Sequence, residues 1–470
     1  MIWNKNSGEQ HVSKSISRES WRNCGTHYPR LRELGIASVA VYSEADKNAL
    51  HTELADEAIC IGPAKGLDSY ANPVAILSAA LVTGADAIHP GYGFLSERSD
   101  FASLCEEMQI KFIGPDSRII REMGNKQNAR TTMREAGVPI VPGSKDLVDD
   151  IEEAREIADK IGYPLMIKAA DGGGGKGMRL ANSAEELEPM FEQASNETQS
   201  IYGNRHLYIE KTIYPAKHIE VQLLADEHGN VLHLGERDCS LQRNNQKVIE
   251  FAPSPTLSET TRQNICEAAV NAAKAIGYTN AGTIEFLVDE EENFYFMEMN
   301  TRLQVEHPIS EMVTGVDIVK AQIEIAAGKP LELSQEDIVI EGFAIECRLN
   351  SEDPYNNFQP SSGHIDRLFL PNGGMGLRVE TALYSNYTLP PFYDSMVAKI
   401  ITHQPTKEAA FNLMERALYE VTVDGLTTNI DLLEALIRHP NVQADQVHST
   451  WLEESFMDEW LAEEMKAVED

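Results

Sequence analysis

Residues 34 to 123 alternate short apolar runs, IASVAVYS, EAICIG, DAIHPG and KFIGP, with stretches of helical character such as NPVAILSAALVTG and FASLCEEMQ. That rhythm reads as βαβ units and a parallel sheet. The proline- and glycine-containing AGVPIVPGS then reads as a link between domains. It leads into DLVDDIEEAREIADKIG, a helix with acidic first turns, a glycine at its end and a solvated charged face. From Tyr208 to Asn300 strands dominate (LYIEKTI, HIEVQLLAD, VLHLGERDCS, AGTIEFLVD, NFYFMEMN), with one long helix between Glu259 and Ile276. Residues 342 to about 450 mix strands (GFAIECRLN, MVAKIITH) with helices (TKEAAFNLMERALYEV, NIDLLEALIRH), and MDEWLAEEMKAVED reads as an acidic surface helix. The fold class is therefore α/β and α+β, multidomain, with neither repeat nor low-complexity segment.

The 470 residues, 42% hydrophobic, suffice for two or three domains. A formal charge of -34, from 74 acidic and 40 basic side chains, repels phosphate backbones and anionic lipid, so nucleic acid and membrane are not expected partners. Any anionic ligand needs a local basic island. The six cysteines are scattered, no apolar run approaches a membrane span, and the N-terminus lacks the apolar core of a secretory signal. A cytoplasmic protein is expected.

YPLMIKAADGGGGKGMR (163 to 179) is a buried-type strand carrying Lys168, then four glycines and Lys176. Glycines leave backbone N–H groups free to wrap phosphate oxygens, and lysines supply charge. The pattern is not GxxxxGK[ST] and no helix follows at once, so a covering flap fits better than a fixed cradle. A flexible hairpin turn would also explain the glycines, though not lysines on both sides.

TIEFLVDEEENFYFMEMNTRLQVEHP (283 to 308) reads as a hairpin turning at residues 290 to 293. Alternation puts Glu298 and Asn300 on one face, and a four-residue loop sets Glu285 opposite Glu298. Two carboxylates that close need a cation, and oxygen ligands suit magnesium carrying nucleotide phosphates. The competing reading is a solvated acidic edge. Arg302, Gln304, Glu306 and His307, with Arg243, Gln246 and Lys247, either hold a second small anion beside a carboxylate base or form ordinary surface ion pairs. In AIHPGYGFLSE, Gly-Tyr-Gly after a strand is a ligand loop or a plain βα turn, and His89 alone reads as structural. Arg348, a charge in the apolar run AIECRLN, needs a partner or ligand.

Taken together, HPGYGFLSE, MGNK, KAADGGGGKGMR, ERDCSLQRNNQK, GTIEFL, FMEMNTRLQVEHP, GFAIECRLNSEDP and PPFYDSMVAKII resemble biotin carboxylase, an ATP-grasp enzyme, in order and spacing from about Arg32 to about residue 450. The resemblance implies a Rossmann-like N-terminal domain (1–124), an ATP-grasp domain (125–341) with a mobile lid (about 142–212), a biotin carboxylase C-terminal domain (342–455) and an acidic tail (456–470). It implies ATP contacts at Lys126, Lys168, Glu210, Lys211, Ile213, His218, Gln242 and Leu287, with Gly173, Gly174 and Gly175 in the flap. It implies Glu285, Glu298 and Asn300 as ligands of Mg2+ or Mn2+. Lys247, Arg302, Gln304 and Val305 would form the bicarbonate pocket, Glu306 the base, and Arg348 with Tyr92 the biotin-facing pair.

The chemistry implied is attack of deprotonated bicarbonate on the γ-phosphate of ATP, giving carboxyphosphate, whose carbon dioxide is passed to biotin. No MKM biotin-acceptor tetrad is present, so biotin is expected on a separate biotin carboxyl carrier protein, with carboxyltransferase subunits as further partners and a possible homodimer. The expected role is the first half-reaction of acetyl-CoA carboxylase, in fatty acid synthesis. Rival readings are another bicarbonate-using or peptide-forming ATP-grasp ligase, or an inactive structural subunit.

Two departures stand out. Asn244 and Asn245 replace an Arg-His pair, putting one nucleotide contact in doubt. Where the family has a strand and an NRGEIA motif leading into a helix, this chain has ESWRNCGTHYPRL. One permitted coding of those letters, read one base later, spells NRGEIAALIIRA. The stretch to about Leu31 is therefore expected to come from a shifted frame, and a protein made that way is expected to lack an inner strand and helix of its first domain.

Overall fold

The computed structural model describes residues 14–17, 27–144, 146–169, 178–371 and 373–469. The first sheet is parallel, in the order β3-β2-β1-β4-β5, from β1 (Lys14–Ser17), β2 (Ala37–Tyr42), β3 (Glu57–Cys60), β4 (Ala87–His89) and β5 (Lys111–Phe112). The expected loss of an inner strand and helix does not occur. Lys14–Ser17 occupies the central position and His27–Glu33 is helical. A parallel ladder needs main-chain donors and acceptors, which any non-proline residue supplies, and Tyr28 and Leu31 give the helix a buried side. Residues 18–26, where the NRGEIA motif is expected, lie outside the described residues.

Two linked elements place the cationic side chains that follow. Asp116 caps the helix Ser117–Gly124, and Asn125 caps the helix Lys126–Glu135 by accepting from the Asn128 N–H, which fixes Lys126 in its first turn. The link then meets a small antiparallel sheet, β7-β6-β8, from β6 (Leu165–Ala169), β7 (Met178–Ala181) and β8 (Leu207–Lys211). One face of this sheet, through Leu165, Ile167, Leu207 and Ile209, packs on the helices Ile151–Ile161 and Ala184–Tyr202. Alternation turns Lys168, Tyr208 and Glu210 to the other face. Gly143 bridges to Glu210, and a Cβ there would meet the Ile209 carbonyl at 2.5 Å, so the link passes where only glycine fits.

The large antiparallel sheet contains β9 (Lys217–Ala225), β10 (Val231–Arg243), β11 (Gln246–Ala252), β12 (Asn280–Val288), β13 (Phe294–Asn300) and β14 (Phe343–Asn350). Its order is β13-β12-β9-β10-β11-β14, continued by the strands Met396–Gln404 and Leu377–Thr381. The central and C-terminal parts of the chain thus share one hydrogen-bonded sheet, joined where β11 pairs with β14. The helix Glu259–Ile276 lies where the sequence places it and buries Ile265, Cys266, Ala269 and Ala273 against β9 and β10. The last helix, Met457–Glu469, is acidic outside, but its Trp460 stacks on Phe456 and Tyr355 and joins the C-terminal core.

Asn244 and Asn245 form the two-residue turn between β10 and β11, with φ of 50° and 61°. A hairpin turn with both central residues left-handed favours asparagine, so this departure from the Arg-His pair has a backbone reason.

Candidate active site

Glu285 lies opposite Glu298, but not for the reason the loop length gives. The connection is five residues, 289 to 293, and pairs Phe286 with Phe296. A bulge then inserts Met297 as an extra residue and returns Glu285 to register with Glu298. Glu285 Oε1 accepts from Asn300 Nδ2 at 2.9 Å, Lys247 Nζ at 3.1 Å and Gln304 Nε2 at 3.2 Å, and Oε2 is 3.2 Å from His218 Nε2. Burial works against its charge, yet Lys247 and His218 outweigh that and hold this carboxyl far below the usual range. Burial and the neighbouring Glu285 push Glu298 the other way. Among the described residues the Glu298 carboxyl takes part in no hydrogen bond or ion pair. A carboxylate without a partner beside an ionised one fits a divalent cation, with Asn300 Oδ1, now bonded to Arg302 Nη2 at 3.1 Å, as a further oxygen.

Beside this pair a buried charge network crosses β9, β10, β11 and β14. Lys247 Nζ reaches Glu220 Oε2 at 2.6 Å and Glu306 Oε1 at 2.5 Å besides Glu285. Arg237, wholly buried, donates to Glu220 at 2.6 Å, to Gln222 and Ser310 at 2.8 Å each. Arg348 donates from Nε to Glu250 at 2.5 Å and from Nη2 to Glu306 Oε2 at 2.9 Å. Burial raises the proton affinity of Glu306, but Lys247, Arg348 and Arg237 together hold its carboxyl well below the ordinary value. Glu250 is bonded by Arg348, with Lys247 further off, and burial with Glu306 nearby outweighs both and pushes it up to about 7.

The segment after β13 supplies the remaining groups. Arg302 donates to Glu97 at 3.0 Å and to Gln304 Oε1 at 3.1 Å, and Val305 presents its carbonyl to Lys399. His307 is turned away from this cluster, with Nδ1 on the Gln304 carbonyl at 2.7 Å, and Arg243 lies over the ring of Phe358. Gln246 is exposed at the start of β11. Tyr92 sits half-buried in the turn after β4.

The predicted nucleotide contacts are divided between the small sheet and the large one: Lys168, Glu210 and Lys211 lie on the first, His218, Gln242 and Leu287 on the second. Lys168 pairs with Glu210, whose other oxygen takes Arg130 at 2.7 Å. His218 pairs in register with Leu287, and Gln242 Nε2 donates to His218 Nδ1 at 2.8 Å, leaving Nε2–H facing Glu285. Lys211 and Ile213 are half-buried at the end of β8 and just after it. Lys126, Arg130, Arg134, Ser144, His206 and Tyr208 border a cavity of about 190 Å³ on the Lys168 face. Gly173, Gly174 and Gly175, with Lys176, lie outside the described residues.

Sequence reading missed Glu220, Arg237, Glu250 and Glu97. The first three carried the signal already used for Arg348: a charge inside an apolar strand run, in HIEVQLL, HLGERDC and VIEFA.

Three family models match the chain in order: the biotin carboxylase N-terminal domain over residues 27–120, the carbamoyl-phosphate synthase L chain ATP-binding domain over 125–334, and the biotin carboxylase C-terminal domain over 346–454. Biotin carboxylase 1 of Bacillus subtilis is 53% identical over 423 residues, covering 90% of this chain and 94% of that one. The biotin carboxylase of Campylobacter jejuni, solved as a β,γ-ATP complex, superposes with a TM-score of 0.89 at 42% identity, over 94% of this chain and 99% of its own. The biotin carboxylase domain dimer of Hydrogenobacter thermophilus 2-oxoglutarate carboxylase, solved with MgADP, ADP and bicarbonate, gives 0.86 at 48% identity over 94% and 97%. The ATP-binding model carries the name of carbamoyl-phosphate synthase, while its two neighbours carry that of biotin carboxylase. With its parallel N-terminal sheet, ATP-grasp domain and C-terminal domain, this chain belongs to the biotin carboxylase family of ATP-dependent ligases.

Proposed function

We propose that the chain catalyses ATP- and bicarbonate-dependent carboxylation of biotin borne on a carrier protein, as the first half-reaction of an acetyl-CoA carboxylase. The observation that carries the site reading is the Glu285–Glu298 pair set beside Lys247, Arg302 and Gln304, an acidic pair adjoining a cationic nest. Glu285, Glu298 and Asn300 would hold Mg2+ or Mn2+. That ion, when bound, supplies charge stabilisation at phosphate oxygens.

The chain's own groups do the rest. Lys168 and Lys126 face the triphosphate, while Glu210, Lys211, Ile213, His218, Gln242 and Leu287 form the nucleotide cleft under the flap of Gly173 to Gly175. Lys247, Arg302, Gln304 and Val305 hold bicarbonate. Glu306 takes its proton, and for this it must shed a cation, because Lys247 and Arg348 occupy its two oxygens. Arg348 is the group free to leave, since Glu250 keeps its charge compensated. Turned with Tyr92 toward biotin, it would stabilise the anion formed when the ureido nitrogen loses its proton.

The lid over about 142–212, a homodimer and a cytoplasmic setting belong to the same reading; no described helix is long and apolar enough to cross a membrane. The frame-shifted origin of the N-terminal stretch is supported by a family match that begins only at residue 27. Resequencing the start of the gene tests it, and a clean reading of Met1 to Leu31 ends it. The acceptor is tested by adding carrier and carboxyltransferase with acetyl-CoA, pyruvate or 2-oxoglutarate. Malonyl-CoA formation supports the proposal, and product from either oxo acid alone overturns it.

A further inference from the structure

The backbone on either side of Glu306 is tied into a buried ring of charges that none of the roles above uses. Lys399, on the strand Met396–Gln404 and only 1% exposed, donates from Nζ to the Val305 carbonyl at 3.0 Å. The same ammonium pairs with Glu380 at 2.5 Å, its register partner on the strand Leu377–Thr381. Glu380 also pairs with Arg378, and Arg378 with Glu311 Oε2 at 2.6 Å. Glu311 lies on the helix His307–Thr314, which begins directly after Glu306, and its Oε1 accepts from the Ile318 N–H at 2.8 Å. The path therefore leaves the chain one residue before Glu306, runs through four charged side chains, and returns on the first helix after it.

Buried ion pairs of this kind are poor sources of stability, because desolvation offsets the attraction and apolar residues of like volume serve as well. What they give is fixed geometry. A peptide unit held at its carbonyl by a buried ammonium cannot rotate without leaving that ammonium unsatisfied. His307 does not compete for the position: its Nδ1 bonds the Gln304 carbonyl, and burial with Lys399 nearby keeps the ring neutral.

We propose that Lys399, braced by Glu380, is a positioning residue that sets the Val305–Glu306 peptide and thereby aims the base at bicarbonate. This rests on the reading of Glu306 as the base. Lys399 comes from the strand next to the far edge of the sheet and, among the described residues, makes no contact with the Glu306 carboxyl, so its effect is selective. A base displaced by about 1 Å loses on the order of 100-fold in proton transfer, while the nucleotide cleft, built on other strands, is unaltered.

The test uses the full chain and measures bicarbonate-dependent ADP release. Lys399→Met should lower kcat at least about tenfold and raise the bicarbonate KM about tenfold, leaving the ATP KM within about twofold. Lys399→Arg, which keeps a donor and the charge, should recover most of the loss. Should Lys399→Met fail to fold, Glu380→Gln decides: it leaves the Val305 contact but removes the brace, and should move bicarbonate parameters about threefold in the same direction. Parental bicarbonate kinetics in Lys399→Met, or in Glu380→Gln where that variant decides, overturn the proposal. So does an equal loss in the bicarbonate and ATP parameters without rescue by arginine. Glu306→Gln separates the two readings: if it keeps bicarbonate-dependent ADP release, the base assignment fails, whatever Lys399 does.

Discussion

Glu285 and Glu298 face each other across two antiparallel strands only because Met297 is bulged out between them and the hairpin turn. Without the bulge the register set by the turn would place Met297 opposite Glu285 and send the second carboxylate to the other face of the sheet. The two carboxyls are also unequal, one held ionised by Lys247 and His218, the other pushed toward its neutral form by burial and by its neighbour.

That inequality predicts opposite effects of one substitution with and without metal. Glu298→Gln removes a like charge, so the metal-free protein should melt higher, by about 1 °C if the relief is near 1 kcal/mol. The same variant should gain little on adding Mg2+ and ATP, and its kcat should fall at least about 100-fold. Thermal melts with and without MgATP, alongside ADP release, check both signs.

Arg348 is shared by Glu250 and Glu306, which makes a split effect the expected outcome of Arg348→Met. Glu306 loses one of its cations, so its proton affinity rises and the acid limb of bicarbonate-dependent ADP release should move to higher pH. Biotin carboxylation should fall far more than ADP release does, about 100-fold or beyond, since the anion-stabilising group is gone. Equal losses in both activities would remove Arg348 from the biotin step.

How much of this could be read from the letters follows from the kind of signal each residue left. Glu298 and Asn300 were legible because strand alternation fixes their common face, and Glu285 because the register error in the loop and the bulge cancel. Arg348 was legible as a charge in an apolar run. Glu220 and Arg237 carried the same signal, but in HIEVQLL and HLGERDC either charge alone also resembles the polar face of a half-exposed strand, and only the sheet order shows both faces covered. The ring through Lys399 was beyond reach for a related reason. It closes over more than ninety residues, from Val305 to Lys399, and no local period encodes that pairing.

The turn at Asn244 and Asn245 gives a prediction about stability rather than chemistry. Both residues hold positive φ, and the Asn244 N–H donates to Glu453 at 2.5 Å, so the turn is part of the packing against the C-terminal segment. Asn245→Gly should leave the melting temperature unchanged or slightly higher, whereas Asn245→Val should cost about 1–3 kcal/mol, since a β-branched residue tolerates that conformation poorly. If these positions act through the backbone alone, the ATP KM of the glycine variant stays within about twofold of the parent.

His89 supplies a pH dependence with a definite sign. Its Nδ1 accepts the Gly91 N–H at 3.1 Å and its Nε2 lies 3.2 Å from Gln322 Oε1, so the buried ring is neutral with its proton on Nε2. Burial lowers its proton affinity to about 4 from an ordinary 6.5. The folded form therefore binds fewer protons than the unfolded chain between these values, and stability falls as pH drops through 6.5 and levels off below about 4. A difference of that size corresponds to about 3 kcal/mol from this one group. His89→Asn retains an acceptor for Gly91 and cannot titrate, so denaturant midpoints for parent and variant should differ least below pH 4 and diverge in the parent's favour toward pH 7. Parallel curves across that range would show that the imidazole takes up its proton as readily in the folded protein as in the unfolded chain.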